Sequence, residues 1–212
     1  MASERMEDFL SRRSRNPKQR EFFDERAEVW DEMSVHDMAK VSYIADLLDI
    51  SGDMSVLDVG TGTGVMIPSY LERLQGGHVT ALDYSESMIS VARRKHPESD
   101  SLTYRVMDLY DLDESGVYDR VVCYSCFPHF PDPVGAIAVL TRALKPGGLL
   151  CIAHSSSKDH INHVHEAGGR EICNDYLPDM DVMVEMFSSA GLETVFSRDD
   201  DEYYIVIGRK SA

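Results

Sequence analysis

Hydrophobic and polar positions keep one period up to about Ile50 and alternate between two periods after it. Near the N-terminus the apolar residues recur at helical spacing. Phe22, Phe23, Ala27, Trp30 and Met33 fall near one stripe, and Met38, Val41, Ile44, Ala45 and Leu48 near another. Residues up to about Ile50 therefore read as helical. After the break "SGDM", the run "SVLDVG" is short, apolar and β-branched and ends in glycine, which predicts a buried strand. Helix and strand patterns then take turns. "GVMIPSYLERL", "SESMISVARRK", "PVGAIAVLTRAL" and "MDVMVEMFSSAG" predict helices, with Ser85 placed to cap the second. "HVTALDY", "LTYRVMDL", "YDRVVCYS" and "LLCIAHS" predict strands.

The last two strands, "ETVFSRD" and "EYYIVIGRK", are separated only by "DDDE". That is too short for a helical crossover, so they must pair antiparallel. The expected architecture is α/β: a Rossmann-like, mostly parallel sheet covered on both faces, closed by a C-terminal antiparallel hairpin. Residues 1–50 form an N-terminal helical cap. Residues 51–212 form the main domain, with a lid insert at 155–178.

Charge narrows the choice of partner. The formal net charge is −16 over 212 residues, which repels phosphate backbones, so no nucleic-acid partner is expected. Arg12, Arg13, Arg15, Lys18 and Arg20 cluster among acidic residues and read as a solvated helix face. No apolar run approaches the roughly 20 residues of a membrane span, and the first residues lack a signal-type apolar region. The expectation is a cytoplasmic protein without a membrane partner. Cys123, Cys126, Cys151 and Cys173 then read as reduced thiols.

"VLDVGTGTG" carries the most chemistry. A strand runs into Gly60, Gly62 and Gly64, which let the backbone turn tightly and approach a ligand. The next strand ends in Asp83, where a carboxylate can accept two ribose hydroxyls. The position that a dinucleotide loop would fill with its third glycine holds Val65, and no G-K-[ST] follows, so neither a dinucleotide loop nor a P-loop fits. Asp58, two residues before the first glycine, would repel a pyrophosphate and suit an ammonium group.

With these pieces in order, the chain resembles the class I S-adenosylmethionine-dependent methyltransferases, in the small-molecule branch similar to ubiquinone and menaquinone methylases. The resemblance spans about Met54 to Lys210. It rests on "VLDVGTGTG", on Asp83 in "ALDYSESMI", on Asp108 in "VMDLYDL", on "YDRVVCYSCFPHF" and on the turn "LKPGG". It implies a seven-stranded sheet and S-adenosylmethionine as cofactor. It implies a donor site from Asp58, Gly60, Thr61, Gly62 and Gly64, then Asp83, Tyr84 and Met88, then Asp108, Leu109 and Tyr124. It also implies a small-molecule acceptor attacked in line, with a non-catalytic S-adenosylmethionine-binding sensor or partner subunit as the alternative.

The acceptor side draws on "CYSCFPHF" and on "HSSSKDHINHVHE", both leaving carboxyl ends of strands. His129, His154, Asn162 and His165 are the candidate catalytic residues, with an imidazole as base for a phenol or thiol. His160 is expected to face solvent. Phe22, Phe23, Trp30, Phe127 and Phe130 are candidate apolar walls. Two other readings stand beside this one. The histidines are polar packing, or His129, His154, His165 and Glu166 hold a divalent metal, which is not the favoured reading.

Overall fold

The computed structural model describes residues 2–13 and 16–212. Arg15 of the basic cluster lies outside the described residues.

The β-branched runs form a seven-stranded sheet in the order β3-β2-β1-β4-β5-β7-β6. The strands are β1 Ser55–Val59, β2 His78–Asp83, β3 Leu102–Val106, β4 Tyr118–Tyr124, β5 Leu144–His154, β6 Leu192–Asp199 and β7 Tyr204–Lys210. β1 to β5 pair in parallel, and β7 runs antiparallel to both β5 and β6. The hairpin follows from the short acidic turn, as expected. β5 begins five residues before "LLCIAHS", because the chain already pairs at Tyr118 and Leu144 before the glycine turn shifts the register.

Helices cover both faces. On one face α7 (Pro133–Ala143) and α9 (Met180–Ser189) bury Ile137, Leu140, Met183 and Phe187 against β4, β5 and β7. On the other, α4 (Met38–Asp46), α5 (Ile67–Leu71) and α6 (Glu86–Lys95) bury Ile44, Ile67, Tyr70 and Ile89. Burying each such side chain contributes about 1.5–3 kcal/mol, which fixes which face each element shows the sheet. Ser85 caps α6 by accepting from Met88 N at 3.1 Å.

The cap is more broken than its hydrophobic stripe predicts. It comprises α1 (Glu4–Ser11), α2 (Gln19–Arg26), a single tight turn at Ala27–Val29, and α3 (Trp30–Met33). Phe22, Phe23 and Ala27 pack on Met88, Val91 and Ile172, so the cap rests on both α6 and the insert.

The insert contains α8 (Lys158–Ala167), and here the expectations need correction. Asn162 does not reach an acceptor. Its Oδ1 accepts from Leu177 N at 2.7 Å and its Nδ2 donates to Leu177 O at 3.2 Å, so its amide is used to fold the insert. His165 is buried, and its Nδ1 bonds the Asp175 carbonyl. His154 ends β5 at 1 % exposure, edge-on to Tyr204, with no hydrogen bond at either ring nitrogen. His160 is exposed, as expected. Phe127 and Phe22 also leave the expected wall: Phe127 is buried under α7, and Phe22 sits between the cap and α6.

Burial disfavours the imidazolium, and holds His154 down to about 3 and His165 down to about 4 from an ordinary 6.5. The unfolded chain protonates these rings near 6.5 and the native chain does not. Native stability is therefore intact above 6.5 and is lost as pH falls toward the native values. Replacing His154 by Leu should remove its share, on the order of 2 kcal/mol of the loss between about pH 7.5 and about pH 4.5. Urea titrations of parent and variant at the two pH values measure this. Equal acid losses in both would show that His154 is not responsible.

Candidate functional site

Strand order reverses between β1 and β4, since β2 and β3 lie on one side of β1 and β4 and β5 on the other. The loops leaving β1 and β4 are carried apart, and a crevice opens at their carboxyl ends. The cap roofs it. The resulting cleft is about 650 Å³, lined by the glycine loop and by His129 and Phe130. A volume of that order suits a nucleoside-sized ligand together with a small second molecule.

The glycine loop is built by two constraints. Gly60 has φ +64°, and a Cβ there would stand 2.7 Å from Cys126 Cβ, so β1 and β4 approach too closely for any side chain. Cys126 reinforces the contact by donating its thiol to Val59 O at 3.1 Å. Gly62 has φ +55° with open space around it, so the turn itself, not crowding, asks for glycine.

Two acids sit at this loop in different ways. Asp83 Oδ2 accepts from Gly62 N at 2.8 Å, and Oδ1 accepts from Ser85 N at 2.9 Å. A carboxylate has about four acceptor positions, so two remain for ligand hydroxyls. Asp58 is 2 % exposed and lies behind the loop rather than on the cleft wall. It accepts from Thr61 Oγ1 at 2.6 Å and from the Tyr70 hydroxyl at 3.1 Å. The place at the ligand expected of Asp58 is therefore not on the cleft wall, because both of its bonds hold it behind the loop. Burial raises both carboxyls, Asp58 to about 7 and Asp83 to about 6.

Thr61, Tyr84, Met88, Leu109 and Tyr124 line the cleft. Asp108 lines it too and caps the following turn by accepting from Tyr110 N. Gly64 lies behind the wall, against Ile67 and His96. The donor half thus has a carboxylate for hydroxyls, buried negative charge for a cation, and apolar side chains for a flat ring. These fit the S-adenosylmethionine that the sequence pattern implies.

Of the four candidate catalytic residues, only His129 lines the cleft. Its Nδ1 lies 2.7 Å from Asp175 Oδ2, and Phe23 and His165 pack on its ring at centroid distances of 5.0 and 4.9 Å. Phe23, Trp30 and Phe130 supply the apolar wall. Glu166 is exposed, away from these rings. Among the described residues, no group of three His, Cys, Asp or Glu is placed to hold a metal ion.

Sequence reasoning missed Asp175, Gln19 and His36. His36 lines the cleft and bonds the Tyr124 hydroxyl through Nδ1 at 2.8 Å. Ser125 also lines it with φ +57°, a conformation uncommon for serine and often held at functional sites. None of these carries a local motif.

Comparison with known proteins places this geometry. Residues 57–152 match the methyltransferase domain family. The ubiquinone biosynthesis O-methyltransferase of Xanthomonas oryzae pv. oryzae is 38% identical over 117 residues, covering 54% of this chain and 48% of the relative. Its counterpart in Xylella fastidiosa is 34% identical over the same length, covering 54% and 46%. The chain thus spans about half the length of these curated relatives. Among solved structures, a chain of the Haloferax volcanii complex between the Trm112 methyltransferase activator and a methyltransferase superposes with TM-score 0.78 at 21% identity, covering 91% of this chain and 97% of that one. An S-adenosylmethionine-dependent methyltransferase from Aquifex aeolicus superposes with TM-score 0.68 at 17% identity, covering 88% and 97%. With its glycine loop, its ribose-type acid and its strand order, the chain is similar to the class I S-adenosylmethionine-dependent methyltransferases, and residues 57–152 match the methyltransferase domain family.

Proposed function

We propose that the protein transfers a methyl group from S-adenosylmethionine to a small molecule bearing an ionisable hydroxyl. The observation that carries this reading is one cleft lined by both a donor-type acid, Asp83, and an imidazole, His129. The O-methyltransferase names of the curated relatives support the hydroxyl class.

The donor, when bound, supplies an activated methyl on a sulfonium whose departure leaves a neutral thioether. The chain's task is to align the reactants and exclude water. Asp83 fixes the donor's ribose hydroxyls. The negative charge of Asp58 favours the donor's cationic end. Phe23, Trp30 and Phe130 hold the acceptor and keep the site dry. His129 accepts the acceptor's proton at Nε2, which leaves Nδ1 on Asp175. A sensor that merely binds the nucleoside would need only the donor half, so the extension of the cleft to His129 favours the enzyme.

Asp83→Ala should weaken S-adenosylmethionine binding at least tenfold, since hydrogen bonds to a charged group contribute about 1.5–3 kcal/mol each. Asp83→Asn keeps the shape and should weaken it less. Isothermal titration giving one affinity for all three proteins would remove the donor site from this cleft.

Affinity should also depend on pH in a set direction. A cationic ligand favours ionised Asp58 and Asp83, which are raised to about 7 and about 6 without it. Binding therefore releases protons below about pH 7, and affinity climbs as pH rises from about 5 to about 7, by at most about tenfold per unit for each group. Asp58→Asn should flatten the upper part of that climb. Titrations in two buffers of different protonation enthalpy read the protons directly, and proton uptake instead of release would contradict the assignment.

A further inference from the structure

Asp175 is remote in sequence from every motif, yet four segments converge on it. Its side chain is buried. Oδ2 takes His129 Nδ1 at 2.7 Å and Gln19 Nε2 at 2.8 Å. Its backbone carbonyl takes His165 Nδ1, whose ring packs on that of His129. Gln19 is held in turn by the Tyr84 hydroxyl, which donates to Gln19 Oε1 at 3.2 Å. Arg13 from the cap then ties the two loops together. Its guanidinium donates to the carbonyls of Pro128 and Phe130, on either side of His129, and to those of Asn174 and Tyr176, on either side of Asp175. One cation brackets both members of the pair.

We infer that Asp175 is a positioning residue for His129: the insert delivers its carboxylate, Gln19 and Arg13 of the cap lock it, and it fixes the ring orientation and tautomer of the imidazole. This rests on the reading of His129 given above. A carboxylate can only accept from the ring, so Nδ1 carries the proton and Nε2 is left bare toward the cleft. Free imidazole has no such fixed choice. With Nε2 protonated, the ring could not take a proton from an acceptor at that atom, and a comparable loss of tautomer control in a histidine–carboxylate pair elsewhere costs about 10⁴-fold in turnover. Asp175 touches neither reactant and acts through His129 alone.

A plain anchoring role for Asp175 would hold the insert without setting the tautomer, and nuclear magnetic resonance separates the two. Long-range ¹H–¹⁵N spectra of the full chain saturated with S-adenosylhomocysteine report each ring nitrogen, and His129→Gln assigns the resonances. The expected parent spectrum has His129 Nδ1 in the protonated range and Nε2 in the unprotonated range. Asp175→Ala, likewise saturated with S-adenosylhomocysteine, should exchange the two. A protonated Nε2 in the parent, or an unchanged tautomer in Asp175→Ala, overturns the inference. If that variant does not fold, the parent spectrum alone still decides. Failure of the methyltransferase reading would appear separately, as no binding of S-adenosylhomocysteine by the parent.

Discussion

The contact between Gly60 and Cys126 is the constraint on which the site depends. At the reversal of strand order, β1 and β4 must remain paired while their continuations part to opposite sides. The parting begins where Cys126 Cβ fills the space that a side chain at Gly60 would need. Below this contact the strands are a packed sheet. Above it they are two walls, one carrying the glycine loop and Asp83, the other Ser125, Cys126 and His129. Any residue larger than glycine would push the walls apart at their base and change the spacing between the two ends of the cleft.

The electrostatics of the cleft follow from how deep these walls go. Asp58 and Asp83 are buried near each other, and burial makes both resist ionisation. Their bonds to Thr61, Tyr70, Gly62 and Ser85 offset part of the cost without removing it. This arrangement is unfavourable for the empty protein and becomes favourable when positive charge enters. At the far side His154 and His165 are held neutral by the same burial, which adds no charge to compete with the donor's. On the reading proposed above, a sulfonium in this cleft would meet charge set behind the wall rather than on it.

Much of this was readable in the sequence, and the boundary is physical. The order of helices and strands, the terminal hairpin and Ser85 as a cap all follow from short-range pattern, and the structure has them. Asp83 was readable as an acid at the end of a strand, whereas Met88 and Leu109, which also line the cleft, came only from the family resemblance. The histidine-rich stretch was not. Helical spacing put Asn162 and His165 on one face correctly, but it could not say what that face meets, which is Leu177 and Asp175 of the same insert. His154 was misjudged for a related reason. It ends a strand on the cleft side of the sheet, but the side chain turns into the packing beside Tyr204. Asp175 and Gln19 carry no local signal, since a hydrogen bond across 156 positions leaves no trace in spacing.

The two halves of the cleft are drawn from the chain in different ways. Asp58, the glycines, Asp83, Met88 and Leu109 lie within one uninterrupted stretch, inside the part that matches the methyltransferase domain. The acceptor end is instead assembled from Phe23 and Trp30 before that stretch, His129 within it and Asp175 after it. The cap nevertheless touches both, since Asp31 takes the Thr63 hydroxyl and Asp24 the Ser85 hydroxyl while Phe23 packs on His129, so a substitution there is felt at the glycine loop and at the imidazole together.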